Sequence, residues 1–241
     1  MYKNYIFDLY GTLIDINTNE SKRYLYDKMA EFYAFHNAFY TPLEFKAEYR
    51  KLCKKETSRV KKLSGVEHPD IKIENVFLQL FKNKGVDADI ELAVHAGKFF
   101  RIISTKYIKL YDGVIELLDT LKKKNKKIYL LSNAQQIFTE PEMKALKIYD
   151  YFDGIVYSSD EEVSKPDRKF YDVVLNRYNL SKEESIMIGN DPITDIKGSY
   201  EAGLDSLYIH SNISPEIKDK LLSKFTIMDG DVKKIIQNVI L

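Results

Sequence analysis

Asn4-Tyr5-Ile6-Phe7-Asp8-Leu9-Tyr10-Gly11-Thr12 decides how this chain is read. Tyr5 to Phe7 form an apolar run that ends on an acid, and Tyr10-Gly11-Thr12 then supplies polar and turn-forming residues. A short apolar segment closed in this way reads as a buried strand, Asn4 to Leu9. A carboxylate buried at such a strand end costs several kcal/mol if unpaired. Asp8 therefore calls for a partner from elsewhere in the chain.

The arrangement recurs downstream. Tyr129-Leu130-Leu131 runs into Ser132-Asn133, and Ile186-Met187-Ile188-Gly189 runs into Asn190-Asp191. Strands are expected at Lys127–Leu131, Gly154–Tyr157, Ser185–Ile188 and Ser206–Ile209, with the short run Phe225-Thr226-Ile227 after them. Helical patterns alternate with them, from Asp112-Gly113 to Leu121, Ile137–Leu146, Asp167–Tyr178, Thr194–Ala202, and a last one from Gly230. That alternation implies an α/β fold with a doubly wound, Rossmann-like parallel sheet. Ligands of such sheets bind outside the carboxyl ends of the strands, where these polar residues fall.

Between the first strand and the rest, Asn17 to Ser104 is helical throughout, and no strand is expected there. Ser21–Phe35 is one helix. Thr41-Pro42-Leu43-Glu44 opens a second with a capping box. A third follows His68-Pro69-Asp70, presents Val76, Leu80 and Phe81 on one face and stops at Lys84-Gly85. Ala88–Ile103 is a fourth. The expected organisation is a core of residues 1–16 and 106–241, with residues 17–105 as an inserted all-helical cap.

Composition narrows the function classes. With 37 basic and 36 acidic residues in 241 the net charge is +1, so no global field recruits nucleic acid or an anionic membrane. The single cysteine, Cys53, excludes an intrachain disulfide framework and reads as a plain structural thiol. No run approaches the ~18 apolar residues of a membrane span. Asp8 interrupts the amino-terminal apolar run, so no signal peptide is read, and a cytoplasmic location is expected. His36, His68, His95 and His210 are scattered. Lys54-Lys55 and Lys61-Lys62, near Arg59, read as a solvated helix face. Oligomeric state has no signature.

Four segments together resemble the signatures of the haloacid dehalogenase superfamily, in its helical-cap form: Phe7-Asp8-Leu9-Tyr10-Gly11-Thr12-Leu13, Leu131-Ser132-Asn133, Ser164-Lys165-Pro166-Asp167, and Ile188-Gly189-Asn190-Asp191-Pro192-Ile193-Thr194-Asp195. Each is weak alone; four in order carry the resemblance over about two thirds of the chain. The resemblance implies a covalent aspartyl ester on Asp8. It implies hydrogen bonds from Thr12 and Ser132, with Asn133 beside them, to a phosphoryl or carboxylate oxygen. Lys165 would neutralise both Asp8 and the developing charge, and Asp195 would hold Lys165 or an outer-shell water. In the phosphatases Mg²⁺ joins Asp8, a backbone carbonyl two residues later, here that of Tyr10, and an acid of the fourth signature, here Asn190-Asp191. The substrate would be a small anionic, phosphorylated metabolite.

Two departures accompany the resemblance. Tyr10 stands where phosphatases usually carry the aspartate that protonates the leaving oxygen, and Asn190 stands where the metal-binding aspartate would be. A phenol of ordinary pKa ~10 is a poor acid near neutrality, and such a group contributes roughly 10²–10⁴ in rate. A metal-independent 2-haloacid dehalogenase shares the Asp-x-Tyr-Gly-Thr pattern and needs no proton for halide departure, although Asp191 and Asp195 suit a cation. Arg23, Arg50 and Arg59 are halide-clamp candidates by residue type alone. A phospholigand-binding module with little turnover is a third reading. Structural uses compete too: Asp8 and Asp195 as caps, Ser132-Asn133 as a helix start, Thr12 as a turn hydroxyl, Gly189 as a close backbone approach.

Overall fold

The structure, a computed structural model, describes residues 2–240. Six strands form one parallel sheet: β1 (Asn4–Phe7), β4 (Lys127–Ser132), β5 (Gly154–Tyr157), β6 (Ser185–Gly189), β7 (Asp205–Ile209) and β8 (Phe225–Ile227), in the spatial order β5-β4-β1-β6-β7-β8. In chain order this runs third, second, first, fourth, fifth, sixth. The direction of winding therefore reverses between β1 and β6, where such sheets open a crevice at their carboxyl ends. Strand β1 lies at that switch, with Phe7 level with Leu130 on one side and Ile188 on the other. Every residue of β1 and β6 is buried, which is why both read as continuous apolar runs rather than alternating ones.

Helices α5 (Val114–Lys123), α6 (Gln136–Ala145) and α8 (Arg168–Arg177) follow the expected pattern. Helix α5 begins at Val114 because Gly113 adopts φ +89° ahead of it. The segment read as Thr194–Ala202 starts two residues earlier: Pro192–Lys197 forms wide π-type turns that continue into α9 (Gly198–Glu201). The short α7 (Ser158–Glu161) was not foreseen, and the chain ends in α10 (Lys233–Ile235) and a π-type turn over Ile236–Ile240.

Helices α1 (Arg23–Phe35), α2 (Pro42–Ser64), α3 (Ile73–Lys82) and α4 (Ile90–Ser104) form a separate layer. The Thr41 side chain caps α2, with Glu44 returning the bond to the Thr41 N–H. This layer has its own aromatic centre, in which Tyr33 stacks on Phe81 and Phe77 meets Phe100. Each fully buried ring stabilises the layer by roughly 1.5–3 kcal/mol. Ile137 and Phe138 of α6 belong to this cluster too, so a helix flanking the large sheet reaches into the helical layer.

The structure corrects the expectation that no strand interrupts Asn17–Ser104. Strand β2 (Ile14–Thr18) runs through Thr18 and pairs antiparallel with β3 (Thr105–Leu110), so both connections between the helical layer and the large sheet pass through one two-stranded ribbon. Helix α3 starts at Ile73, after His68-Pro69-Asp70 as expected. The Asp70 carboxylate accepts bonds from Ile71 N–H, Gln135 Nε2 and Ser158 Oγ, which ties the stretch before α3 to the turns after β4 and β5. No described helix is long and apolar enough to cross a membrane.

Candidate active site

Asp8 leaves β1 at the switch point, its N–H bonded to Ile188 O at 2.9 Å. The chain then folds back at once, with Leu9 O accepting N–H bonds from Thr12, Leu13 and Ile14. Gly11 makes that turn with φ +86°, and a Cβ there would lie 2.3 Å from the Asn190 amide nitrogen. Glycine is needed at this position both for conformation and for the close approach of Asn190.

Lys165 arrives from the loop between α7 and α8. Its ammonium donates to Asp8 Oδ1 and to Asp195 Oδ1, both at 2.7 Å, with all three side chains nearly or fully buried. Burial alone pulls an ammonium's pKa down, but the carboxylates of Asp195 and Asp8 outweigh it and raise Lys165 above its ordinary value. Asp195 is pushed upward by its own burial, against the pull of Lys165. Asp195 rests against Gly189, where a Cβ would come within 2.3 Å of its carboxylate, and its Oδ2 accepts the Asp191 N–H at 2.9 Å. Gly189 is thus a backbone necessity.

Ser132 and Asn133 follow β4. Ser132 Oγ donates to Asp8 Oδ1 at 3.4 Å. The Asn133 side chain instead holds the Lys165 main chain, and Lys165-Pro166 is a cis peptide. Thr12 donates to Asn190 Oδ1 at 3.4 Å, and Asn190 Nδ2 donates to Ser214. Asp191 points elsewhere than its neighbour: its Oδ1 accepts from Ile193 N–H and Thr194 N–H, capping the turns that follow. Asp8, Tyr10, Ser132, Asn133, Lys165, Asn190, Asp191 and Asp195 nonetheless line one cavity of about 230 Å³, together with Thr194, Ile213 and Pro215.

Thr194 belongs to the fourth signature, whereas Ile213 and Pro215, with Ser214, are not singled out by the sequence reading. Ser211-Asn212-Ile213-Ser214-Pro215 follows the apolar strand β7, so the rule that flagged Ser132 and Asn190 would have found this loop as well.

Tyr10 is tied up by a different network. Its hydroxyl donates to Glu142 Oε2 at 2.5 Å and lies 3.0 Å from Thr139 Oγ1, both on α6. Burial, then the Glu142 charge, pushes the phenol well above its ordinary pKa. The arginine that comes to this region is Arg101 of α4, not Arg23, Arg50 or Arg59: its guanidinium sits 5.5 Å from the Tyr10 ring centre and pairs with Glu142 at 2.6 Å. Cys53 is half-buried and its thiol is pushed up to about 11, chiefly by burial, in keeping with an inert structural residue.

The donor set suits a hard cation. Among the described residues no three His, Cys, Asp or Glu side chains converge as a metal cluster. Mg²⁺ does not require one: it is commonly held by one or two carboxylates, retained waters and a substrate phosphate. Asp8 has its second oxygen clear of Lys165 and Ser132, and Asn190 offers an amide oxygen on the same cavity.

Comparison with known proteins agrees with this geometry. The profile of haloacid dehalogenase-like hydrolases matches residues 41–209. The pyrimidine 5'-nucleotidase PynA of Streptococcus pneumoniae is 25% identical over 212 residues, covering 86% of this chain and 83% of that protein. A glyceraldehyde 3-phosphate phosphatase of Pyrococcus abyssi is 24% identical over 214 residues, covering 86% and 81%. Among solved structures, 2-haloacid dehalogenase from Pseudomonas syringae pv. Tomato DC3000 shares the fold with a TM-score of 0.69 at 18% identity, over 98% of this chain and 97% of that one. The profile covers well over half of the sequence, and the chain belongs to the haloacid dehalogenase-like hydrolase family.

Proposed function

We propose that this hydrolase is a Mg²⁺-assisted phosphatase for a small phosphorylated metabolite, working through a phosphorylated Asp8. The carrying observation is the buried Lys165 ammonium shared between Asp8 and Asp195 beside a small cavity at the switch point. A purely structural strand end has no use for three buried charges there. Two relatives named for phosphate-ester hydrolysis support phosphoryl transfer as the reaction.

In this reading an Asp8 oxygen attacks phosphorus and the leaving group departs from the opposite side. Lys165 offsets the charge that accumulates on the phosphoryl oxygens, with Asp195 fixing the ammonium and Asn133 the main chain behind it. Ser132 and Thr12 hydroxyls donate to those oxygens, each such donor contributing about 3–4 kcal/mol. A cation held by Asp8, the Tyr10 carbonyl and Asn190, with Asp191 adjoining, would supply further neutralisation of the phosphoryl group. Water then attacks the aspartyl phosphate and restores Asp8. We place the helices α1–α4, residues 17–105, as a cap that closes over the cavity on the β2–β3 ribbon.

The test is hydrolysis of p-nitrophenyl phosphate with Mg²⁺, loss of turnover on chelation, and its abolition in Asp8→Asn. Turnover that persists in Asp8→Asn would exclude the covalent route. The captive Tyr10 hydroxyl keeps a second reading alive, a metal-independent 2-haloacid dehalogenase. Halide release from 2-chloropropionate without added metal, with no phosphatase activity, would favour it.

A further inference from the structure

Among the described residues, every titratable side chain that lines the cavity beside Asp8 already has a hydrogen-bond partner within the protein. The titratable lining groups, besides Asp8 itself, are Tyr10, Lys165, Asp191 and Asp195. Lys165 is committed to Asp8 and Asp195. Asp195 accepts at both oxygens, from Lys165 and from the Asp191 N–H. The Asp191 carboxylate caps Ile193 and Thr194. The Tyr10 hydroxyl has one proton, and it faces the Glu142 carboxylate on α6, whose charge Arg101 holds in place. Thr139 gives no proton back, since its hydroxyl donates to Gln135 O. Protonation of the leaving group is thus missing from the machinery, although Lys165 and Ser132 line the cavity beside Asp8.

We infer that the substrate is an acyl phosphate, the mixed anhydride of a carboxylic and a phosphoric acid, whose leaving group departs as a stable anion without a proton. The inference rests on Asp8 being the phosphoryl acceptor. The Asp8 oxygen forms a bond to phosphorus while the bond from phosphorus to the acyl oxygen breaks, its electron pair leaving with the carboxylate. Water then adds to phosphorus, the Asp8 carboxylate leaves, and the water's protons stay with inorganic phosphate as dihydrogen phosphate. The sum is one acyl phosphate dianion and one water giving one carboxylate and one dihydrogen phosphate, with no proton drawn from the protein. An alkyl phosphate would have to expel an alkoxide, for which a positioned acid is worth roughly 10²–10⁴ in rate. A phosphoanhydride is the less suitable alternative. Its leaving phosphate carries more charge than a carboxylate, and among the described residues Lys165, already shared between two carboxylates, is the only cationic side chain lining this cavity.

The experiment compares kcat/KM of the full chain with Mg²⁺ on acetyl phosphate, a graded series of aryl phosphates, and glycerol 2-phosphate, each corrected for uncatalysed hydrolysis. Acetyl phosphate should exceed glycerol 2-phosphate by about 100-fold or more, and the aryl rates should fall steadily as the leaving phenol becomes less acidic. Tyr10→Asp should raise the ratio of glycerol 2-phosphate to acetyl phosphate turnover at least about tenfold. Equal wild-type rates on acetyl phosphate and glycerol 2-phosphate would overturn the substrate class and leave the phosphatase reading standing. No phosphate release from any compound, with no phosphorylated Asp8 detected by mass spectrometry, would overturn both.

Discussion

The side-chain amide of Asn133 brackets the main chain of Lys165: its oxygen accepts the Lys165 N–H at 2.8 Å, and its nitrogen donates to the Lys165 carbonyl at 2.9 Å. Strand β4 thereby fixes where the lysine loop crosses the cavity, and the loop in turn delivers the ammonium to Asp8. Asn133→Leu keeps the volume and removes both bonds. A displacement of about 1 Å at a reacting centre costs on the order of 100-fold in rate, so kcat should fall by about that factor while KM changes little. Asn133→Asp keeps the acceptor and loses the donor, and should fall in between. Steady-state kinetics on p-nitrophenyl phosphate decide it; wild-type kcat in Asn133→Leu would remove Asn133 from any positioning role.

Lys165 links stability to pH. In Lys165→Met, Asp8 and Asp195 face each other with no cation, and breaking a buried pair in this way costs about 3–5 kcal/mol. Asp195, which burial already raises, then keeps a raised pKa in the folded variant with no ammonium to pull it down. A folded protein that holds its protons longer than the unfolded chain loses stability as pH climbs above the unfolded carboxylate value of 3.8. The deficit of Lys165→Met should therefore grow from pH 4 toward neutrality and shrink on acidification, read from urea denaturation at several pH values. A deficit independent of pH would mean that the ammonium's contribution is packing alone.

Gly189 tests the close approach of Asp195. A methyl group at this position lands 2.3 Å from the Asp195 carboxylate, at the end of a strand that is still paired there with Tyr208 of β7. Gly189→Ala should displace Asp195 from Lys165, cost about 1–3 kcal/mol by overpacking, and lower turnover. Thermal unfolding and phosphatase assays on the same preparation check both halves. Unchanged stability would show that the neighbouring strands yield more easily than their pairing implies.

How much of this was legible follows from what each residue's signal depends on. The ends of β1, β4 and β6 could be read because a buried parallel strand is a continuous apolar run, and a polar residue after it stands out. The meeting of Asp8, Lys165 and Asp195 was legible only through the order of the four motifs, since nothing local to Lys165 points at Asp8. The β2–β3 ribbon was missed because Ile14-Asp15-Ile16-Asn17-Thr18 is half polar, and because Thr105 follows α4 without a turn residue. The fate of Tyr10 was not readable at all. Its partners Thr139 and Glu142 of α6 and Arg101 of α4 lie 91 or more residues away, and nothing local to Tyr10 points at either helix.

The Arg101–Glu142 pair between α4 and α6 also bears on stability. Arg101 and Glu142 retain only 16% and 13% side-chain exposure, and the pair joins the helical layer to a helix flanking the sheet. Removing one member leaves the other charge largely buried, so Arg101→Met and Glu142→Gln should each cost about 2 kcal/mol, discounted from the fully buried case. Glu142→Gln also replaces a charged acceptor of the Tyr10 hydroxyl with a neutral one. The double variant leaves no uncompensated charge, and groups in direct contact couple by about 0.5–3 kcal/mol. Its loss should therefore fall short of the sum of the two single losses by about 1–2 kcal/mol. Urea denaturation of the four proteins closes the cycle. Strict additivity would mean that the pair only shares a surface, and that the helical layer is held against α6 by Ile137 and Phe138 without electrostatic help.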